Sequence, residues 1–399
     1  SIIELSWELF EGGMTNGNSL LNGSLTRTAT GNSKSMSFHM SQFYTGVNWY
    51  TVALELHQDG NLVDAESFPF SVFTNVKKPE YSQIVVFGDS LSDMGNVKDS
   101  IMNMPAVPPY WQGRFSNGPV WVEYVATEIG LSLQHGTASA EGNNRAYGGS
   151  QTGQGYSYVL LPNTGTQITN YLTNVHSSFN NSDLVILWAG GNDFLYGLAE
   201  ANTTHANMAS HIESVIQAGA NHILIPNLPP LELTPEVRNK SSTQQQQIAA
   251  SINSYNSALA ASITTLVSAH VVDIMLLDTH SMFYDFMNNS TYLGLTNTLD
   301  MACQSSGSIL PLPICNSGDP VVSNVDEYVF FDKAHPTAVM HELISIQAML
   351  AISEMDTDDD GVIDEIDTCP WTNSGRVANE TGCSVEQQDD DNDGVQNSL

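Results

Sequence analysis

Several residues of this chain have the types and spacing that nucleophilic catalysis by a serine needs. Ser90 lies in Gly88-Asp89-Ser90-Leu91-Ser92-Asp93, directly after the apolar run Ile84-Val85-Val86-Phe87. A serine just past a buried strand and flanked by glycine is exposed and rigidly held. Unaided it is a weak nucleophile, so it needs a base and a site for the oxyanion. Far along the chain, Asp332-Lys333-Ala334-His335 puts a carboxylate three residues before a histidine. On a turn entering a helix, that spacing lets the carboxylate orient the ring and stabilise the imidazolium. Gly149, in Tyr147-Gly148-Gly149-Ser150, leaves a backbone N–H open to close approach. Asn192, in Gly190-Gly191-Asn192-Asp193, offers a side-chain N–H donor. Each piece alone also has an ordinary use, as a turn or N-cap serine, a glycine turn, a capping Asn or a core histidine. His341-Glu342 lacks the second histidine of a zinc-protease helix, so metal hydrolysis is not indicated.

These residues need a scaffold that delivers distant segments to one place. Residues 80–353 supply one, as apolar runs at Ile84–Phe87, Leu184–Trp188, His222–Ile225 and Val271–Leu277 alternate with helical patterns. Ile248, Ile252, Tyr255, Leu259, Ile263 and Leu266 recur every three or four residues, a helix with one apolar stripe. Buried strands alternating with helices predict a mostly parallel sheet covered on both faces, with reactive groups outside the strands' carboxyl ends. Residues 1–79 read instead as a small all-β, sandwich-like domain. Tyr50, Val52, Leu54 and Leu56 alternate with Trp49, Thr51, Ala53 and Glu55, and Asp59-Gly60 marks a hairpin turn. Lys77-Lys78-Pro79 reads as a linker, and residues 354–399 are acidic and nearly devoid of apolar side chains.

Four blocks in order, Gly88-Asp89-Ser90-Leu91, Gly149, Gly190-x-Asn192-Asp193 and Asp332-x-x-His335, resemble those of the GDSL, or SGNH, hydrolases. The similarity extends through Arg114-Phe115-Ser116-Asn117-Gly118 and Asn227-Leu228-Pro229, covering roughly residues 84–350. The resemblance implies a three-layer α/β/α flavodoxin-like fold and ester hydrolysis through an acyl-serine, with no cofactor for catalysis. By position, Ser90 becomes the nucleophile, His335 the general base and then acid, and Asp332 its orienting carboxylate. The Ser90 and Gly149 N–H groups and the Asn192 amide become the oxyanion hole. No Gly-x-Ser-x-Gly elbow occurs anywhere, which argues against the separate α/β-hydrolase arrangement. The Arg114 to Trp121 pattern is most similar to secreted bacterial phospholipase, haemolysin and lipid-acyltransferase members. Met102, Met104, Val107, Tyr110 and Trp111 are then expected to line an acyl pocket or to pack as a surface loop.

In the tail, Asp356, Asp358, Asp360, Gly361, Val362, Asp364 and Asp367 fall at positions 1, 3, 5, 6, 7, 9 and 12 of a calcium loop, Val362 through its carbonyl. Asp389, Asp391, Asp393 and Gly394 repeat the start of it. Cys369-Pro370 follows where an EF-hand would have a helix, and with Gly382-Cys383 this resembles a thrombospondin type 3 repeat, which implies structural Ca²⁺. Cys303/Cys315 and Cys369/Cys383 are two close pairs without zinc spacing. Local disulfides are expected of them, the alternative being four buried thiols, and disulfides imply an oxidising compartment.

The charge narrows the partners. With 43 acidic and 11 basic residues in 399, the formal charge is −32, of which residues 354–399 carry −13. Nucleic acid and anionic membrane surfaces are excluded, because phosphate binding needs Lys and Arg. No apolar stretch is long enough to span a bilayer. The chain is expected to be secreted, its signal peptide already removed. The leading function is hydrolysis of a phospholipid or other lipid acyl ester. A carbohydrate or aryl esterase on the same fold is the alternative. A calcium-dependent surface-adhesion protein, with a surface ligand on residues 1–79, is another.

Overall fold

The computed structural model describes residues 2–11, 19–28, 46–58, 61–74, 76–77, 80–100, 102–136, 142–157, 160–291, 293–305 and 312–355, with 362, 368, 369, 372, 378, 379, 381–384 and 387 beyond them. The chain divides into two compact units. One comprises Ser1–Pro79, Asn289–Gly294 and Ser353–Leu399, and the other Glu80–Asn288 and Leu295–Ile352.

In the first unit, β1 (Ile2–Glu11), β2 (Ser19–Thr28), β3 (Gly46–Gln58) and β4 (Asn61–Thr74) form an antiparallel sheet in the order β2-β1-β3-β4. Gln58 pairs with Asn61 in the β3–β4 ladder, and the Asp59-Gly60 singled out by the sequence lies outside the described residues. These described strands make one sheet, whereas a sandwich needs two; residues 12–18 and 29–45 lie outside the described residues. The expected linker also differs. Val76–Lys77 (β5) pairs antiparallel with Glu354–Met355, Lys77 opposite Glu354. Its backbone donors and acceptors are thus used in a ladder, which a sequence window of three residues does not reveal. Further on, Cys369 and Cys383 are disulfide-bonded and Val362 is half-buried. The expected ligands Asp356, Asp358, Asp360, Asp364, Asp367, Asp389, Asp391 and Asp393 lie outside the described residues.

The second unit is built on four parallel strands in chain order: β6 (Gln83–Gly88), β7 (Asp183–Trp188), β8 (His222–Pro226) and β9 (Asp273–Leu277). Residues 143–147 run along the free edge of β6. The Val86 N–H donates to the Asn143 carbonyl (2.9 Å), the Arg145 N–H to that of Val86 (2.7 Å), and the Tyr147 N–H to that of Gly88 (3.1 Å). With this segment counted, the order is that of a flavodoxin-like sheet, 2-1-3-4-5. The expected last strand starts at Asp273 rather than Val271, whose side chain is fully exposed.

Helices cover both faces. On one, Val85, Phe87, Val185, Leu187, Ile223 and Ile225 share a core with α2 (Thr164–Asn174), α4 (Ala201–Gln217) and α6 (Ser242–Ala269). The α6 stripe buries Ile252, Tyr255, Leu259 and Ile263, and Ser241 caps the helix by accepting from the Gln244 N–H. Toward the other face lie α1 (Trp121–Glu128) and α8 (Ala338–Ile352), where Trp121 meets Trp188 edge-on. The short α3 (Gly191–Leu195), α5 (Pro235–Arg238) and α7 (Thr279–Asn288) follow β7, β8 and β9, and β10 (Asn297–Met301) pairs parallel with β11 (Tyr328–Phe330). Cys303 and Cys315, disulfide-bonded as expected, sit in a second apolar cluster with Tyr110, Phe115 and Phe331.

Leu187 is fully buried in the sheet. We expect Leu187→Ala to destabilise this unit by about 2–5 kcal/mol, read as a lowered urea midpoint, while Val271→Ser stays within about 0.5 kcal/mol of wild type. Equal midpoints for the two variants would contradict this packing.

Candidate active site

All four sequence blocks meet at the carboxyl ends of β6 and β7. Strand β6 ends at Gly88, where any Cβ would collide with the Trp188 carbonyl of the neighbouring strand. Two residues on, Ser90 is nearly buried, and its hydroxyl lies 2.9 Å from His335 Nε2. The other ring nitrogen, Nδ1, lies 2.8 Å from Asp332 Oδ2 and 2.9 Å from Oδ1. Asp332 Oδ1 also accepts the N–H groups of Ala334 (2.9 Å) and His335 (2.8 Å), which fixes the turn after β11. Oδ2 accepts a further bond from the Tyr110 hydroxyl. A carboxylate so bonded holds Nδ1 as the donor and leaves Nε2 to take a proton from Ser90.

Three residues that carry N–H donors line the same space. Gly149 has φ +79°, a conformation that favours glycine, in the turn closed by the Ser150 N–H bonding the Tyr147 carbonyl. Asn192, at the start of α3, uses one Nδ2 proton on the Ser150 carbonyl (2.8 Å), leaving the other for a ligand. The backbone N–H groups of Ser90 and Gly149 have no protein acceptor among the described residues. Ser90, Gly149 and Asn192 all line a cavity of about 70 Å³ whose remaining walls are mostly apolar, among them Val97, Met104, Leu161, Leu195, Leu231 and Ile314. Of the five side chains expected in an acyl pocket, only Met104 lines it. Val107 is nearly half exposed, Met102 packs against the disulfide cluster, Trp111 lies under the Arg114 guanidinium, and Tyr110 points to Asp332. Their chain proximity to Ser90 did not decide their direction.

Hydrogen bonds rivet the contributing loops together. Asp93 accepts the N–H groups of Gly95 (2.8 Å), Asn96 (2.6 Å) and Gly148 (2.9 Å), joining the Ser90 loop to the Gly149 turn. Thr152 donates its N–H and hydroxyl to Asp193 at 3.0 and 2.8 Å, joining that turn to α3. Gln167 of α2 exchanges two bonds with the Gly88 backbone (2.9 and 2.8 Å) and donates to Ser150 Oγ (2.9 Å). The Arg114 to Gly118 block holds the histidine loop. Phe115 lies against the His335 ring with centroids 5.1 Å apart, Ser116 Oγ donates to the Pro336 carbonyl, and Asn117 Oδ1 accepts the Ala338 N–H at the start of α8. Sequence reading missed Gln167 and the true place of Tyr110. A lone amide in an amphipathic helix and one tyrosine in a loop carry no local signal.

Burial also sets the charge states here. It raises the Asp89 carboxyl from 3.8 to about 7, helped by the nearby Asp193 and Asp93 carboxylates and opposed by the Leu91 N–H and His335. It raises Asp93 to about 6 against four backbone N–H donors, and it lowers His341 to about 3, helped by His335. Among the described residues no group of His, Cys, Asp or Glu is arranged to hold a metal ion.

The bonded row and the adjacent donors have the layout of a hydrolase site. A family model, GDSL-like Lipase/Acylhydrolase, matches residues 84–347. The chain belongs to that family, and its class of activity is carboxylic ester hydrolysis. It is 29% identical over 306 residues to the phosphatidylcholine-sterol acyltransferase of Aeromonas hydrophila, covering 67% of this chain and 89% of that one. It is 27% identical to a thermolabile hemolysin of Vibrio parahaemolyticus, over 70% of this chain and 66% of the relative. To the secreted effector protein SseJ of Salmonella typhimurium it is 25% identical, over 68% and 64% respectively. The chain thus spans just under two thirds of the last two relatives.

Asp89 holds its proton more tightly folded than unfolded, so its contribution makes stability fall as pH rises from about 4 to about 7 and then level off. Asp89→Asn, which can still accept the Leu91 N–H, is expected to flatten that fall in urea midpoints measured from pH 4 to 8. An unchanged slope would refute the assignment.

Proposed function

We propose that the protein is a secreted hydrolase of lipid acyl esters, of the phospholipase A, lysophospholipase or esterase type, working through an acyl-serine. The single observation that carries this reading is the bonded row Ser90–His335–Asp332 opening onto an apolar cavity beside three N–H donors. Ser90 Oγ attacks the acyl carbonyl while His335 Nε2 takes its proton. The tetrahedral oxyanion is stabilised by the Ser90 and Gly149 N–H groups and the Asn192 amide. Collapse forms the acyl-serine and expels the alcohol, which receives the proton from His335. Water, deprotonated by the same nitrogen, then releases the acid and restores Ser90.

An apolar cavity next to the nucleophile favours an acyl chain over a sugar, which would require polar walls. Relatives named as a phosphatidylcholine-sterol acyltransferase and a hemolysin point the same way, toward a lipid substrate. A relative named as a secreted effector protein and two disulfides support an extracellular setting. No helix among the described residues is long and apolar enough to cross a membrane. Residues 354–399 are assigned a structural calcium role, as a thrombospondin type 3-like repeat in which Asp356, Asp358, Asp360, Val362, Asp364 and Asp367 bind one ion and Asp389, Asp391 and Asp393 contribute to another.

Ser90→Ala is expected to lower hydrolysis of p-nitrophenyl esters and of phosphatidylcholine by about 10³-fold or more with the fold intact, and Asn192→Ala to lower kcat by about 10²- to 10³-fold. Retained turnover in Ser90→Ala would sink the nucleophile assignment. Wild type that cleaves acetylated sugars but no phospholipid would sink the lipid reading. Chelation is expected to lower the melting transition of the tail and leave ester turnover nearly unchanged. Loss of all turnover in a folded, metal-free protein would contradict a metal-independent triad.

A further inference from the structure

The Tyr110 hydroxyl does two things at once. It donates to Asp332 Oδ2, the oxygen that also lies 2.8 Å from His335 Nδ1, and it accepts the N–H of Cys315 at 2.8 Å. Its ring is almost wholly buried and meets Phe331 edge-on at 5.1 Å and Phe115 at 6.3 Å, so the hydroxyl cannot swing to another partner without opening the cluster. Cys315 is itself fixed by its bond to Cys303, which places a rigid backbone donor behind the phenol. Burial and the Asp332 charge push the Tyr110 phenol well above its ordinary range, so it remains a proton donor throughout the working range of an ester hydrolase.

We propose that Tyr110 is a positioning residue of the catalytic relay: by bonding the same Asp332 Oδ2 that faces the imidazole, it restrains the carboxylate and withdraws charge from the oxygen that orients His335. The proposal rests on the reading of Ser90, His335 and Asp332 as the triad. Two consequences follow from the geometry. Without the hydroxyl, Asp332 keeps its two backbone donors on Oδ1 but loses the one side-chain restraint on Oδ2 other than the histidine itself. The carboxylate then attracts the imidazolium more strongly, so a more alkaline medium is needed to free the base. The other titratable groups that act on the imidazole are Asp89 and His341. Asp319 acts on Tyr110. None of these three is a hydrogen-bond partner of the Tyr110 hydroxyl, whose bonds among the described residues go to Asp332 and Cys315.

The test is the full-length protein with Tyr110→Phe, which keeps the ring, assayed on a p-nitrophenyl ester across pH. We expect kcat to fall about tenfold with KM unchanged, and the acid limb of kcat/KM to move to higher pH. In an Asp332→Asn background the same change should have little further effect, because the two act as a unit. Where Tyr110→Phe does not fold, 3-fluorotyrosine placed at position 110 keeps the shape and strengthens the donor, and the acid limb should move the opposite way, to lower pH. A kcat and a pH profile equal to wild type in Tyr110→Phe, or an effect fully additive with Asp332→Asn, would overturn the proposal. So would an acid limb left in place by fluorination. Ser90→Ala run alongside separates the two readings: if it stays active, the triad itself is wrong, whereas an inactive Ser90→Ala beside an unaffected Tyr110→Phe condemns only the role of Tyr110.

Discussion

A carboxylate with no exposure to water has to be saturated with donors, and Asp332 is such a carboxylate. Four groups satisfy it: two backbone N–H groups of its own turn, the imidazole of His335 and the hydroxyl of Tyr110. Each donor fixes a different piece of chain. The backbone pair forces the tight turn between β11 and α8, the imidazole is thereby aimed at Ser90, and the phenol brings in the loop before α1 together with the disulfide at Cys315. An ion buried this way is expensive to leave half-satisfied, so its donors and the turn stabilise one another.

The sheet supplies the other side of the reaction. Parallel strands deliver β6 and β7 to one edge, so the Ser90 loop and α3 emerge side by side, and the 143–147 segment brings Gly149 to the same edge. Polar cross-links among these loops involve atoms that would otherwise be buried and unpaired, such as the Asp93 carboxylate, the Thr152 hydroxyl and the Gln167 amide. Rigidity at the proposed oxyanion site follows from this accounting, since a donor pre-aimed at the developing charge needs no reorganisation during reaction. The adjacent cavity is mostly apolar, as the proposed acyl group requires.

Much of this was legible before any coordinates. The four apolar runs became β6 to β9, and the α6 stripe was buried where its period placed it. Period and turn chemistry are local, and burial on one or both faces leaves a direct imprint on them. Residues without such an imprint were misread or missed. Lys77 looked like the start of a linker because its partner, Glu354, lies some 280 residues away in the chain. The 143–147 edge segment has too few regular bonds to show a strand period. Tyr110 was read as lining a pocket or packing in a surface loop because nothing near it in sequence reveals a carboxylate 222 positions on.

By itself, then, the sequence determined which chemical groups exist and which local geometries they prefer: a serine after a buried strand, a carboxylate three residues before a histidine, a glycine able to take a positive φ. These depend on covalent spacing and backbone preference, which act over a few residues. Only the tertiary structure decided that Ser90 and His335, 245 positions apart, stand 2.9 Å from each other, and that a tyrosine backs the aspartate between them. Such contacts arise from packing two helical layers on one parallel sheet and from the need to pair every buried polar atom, and neither requirement is written in any short stretch of chain.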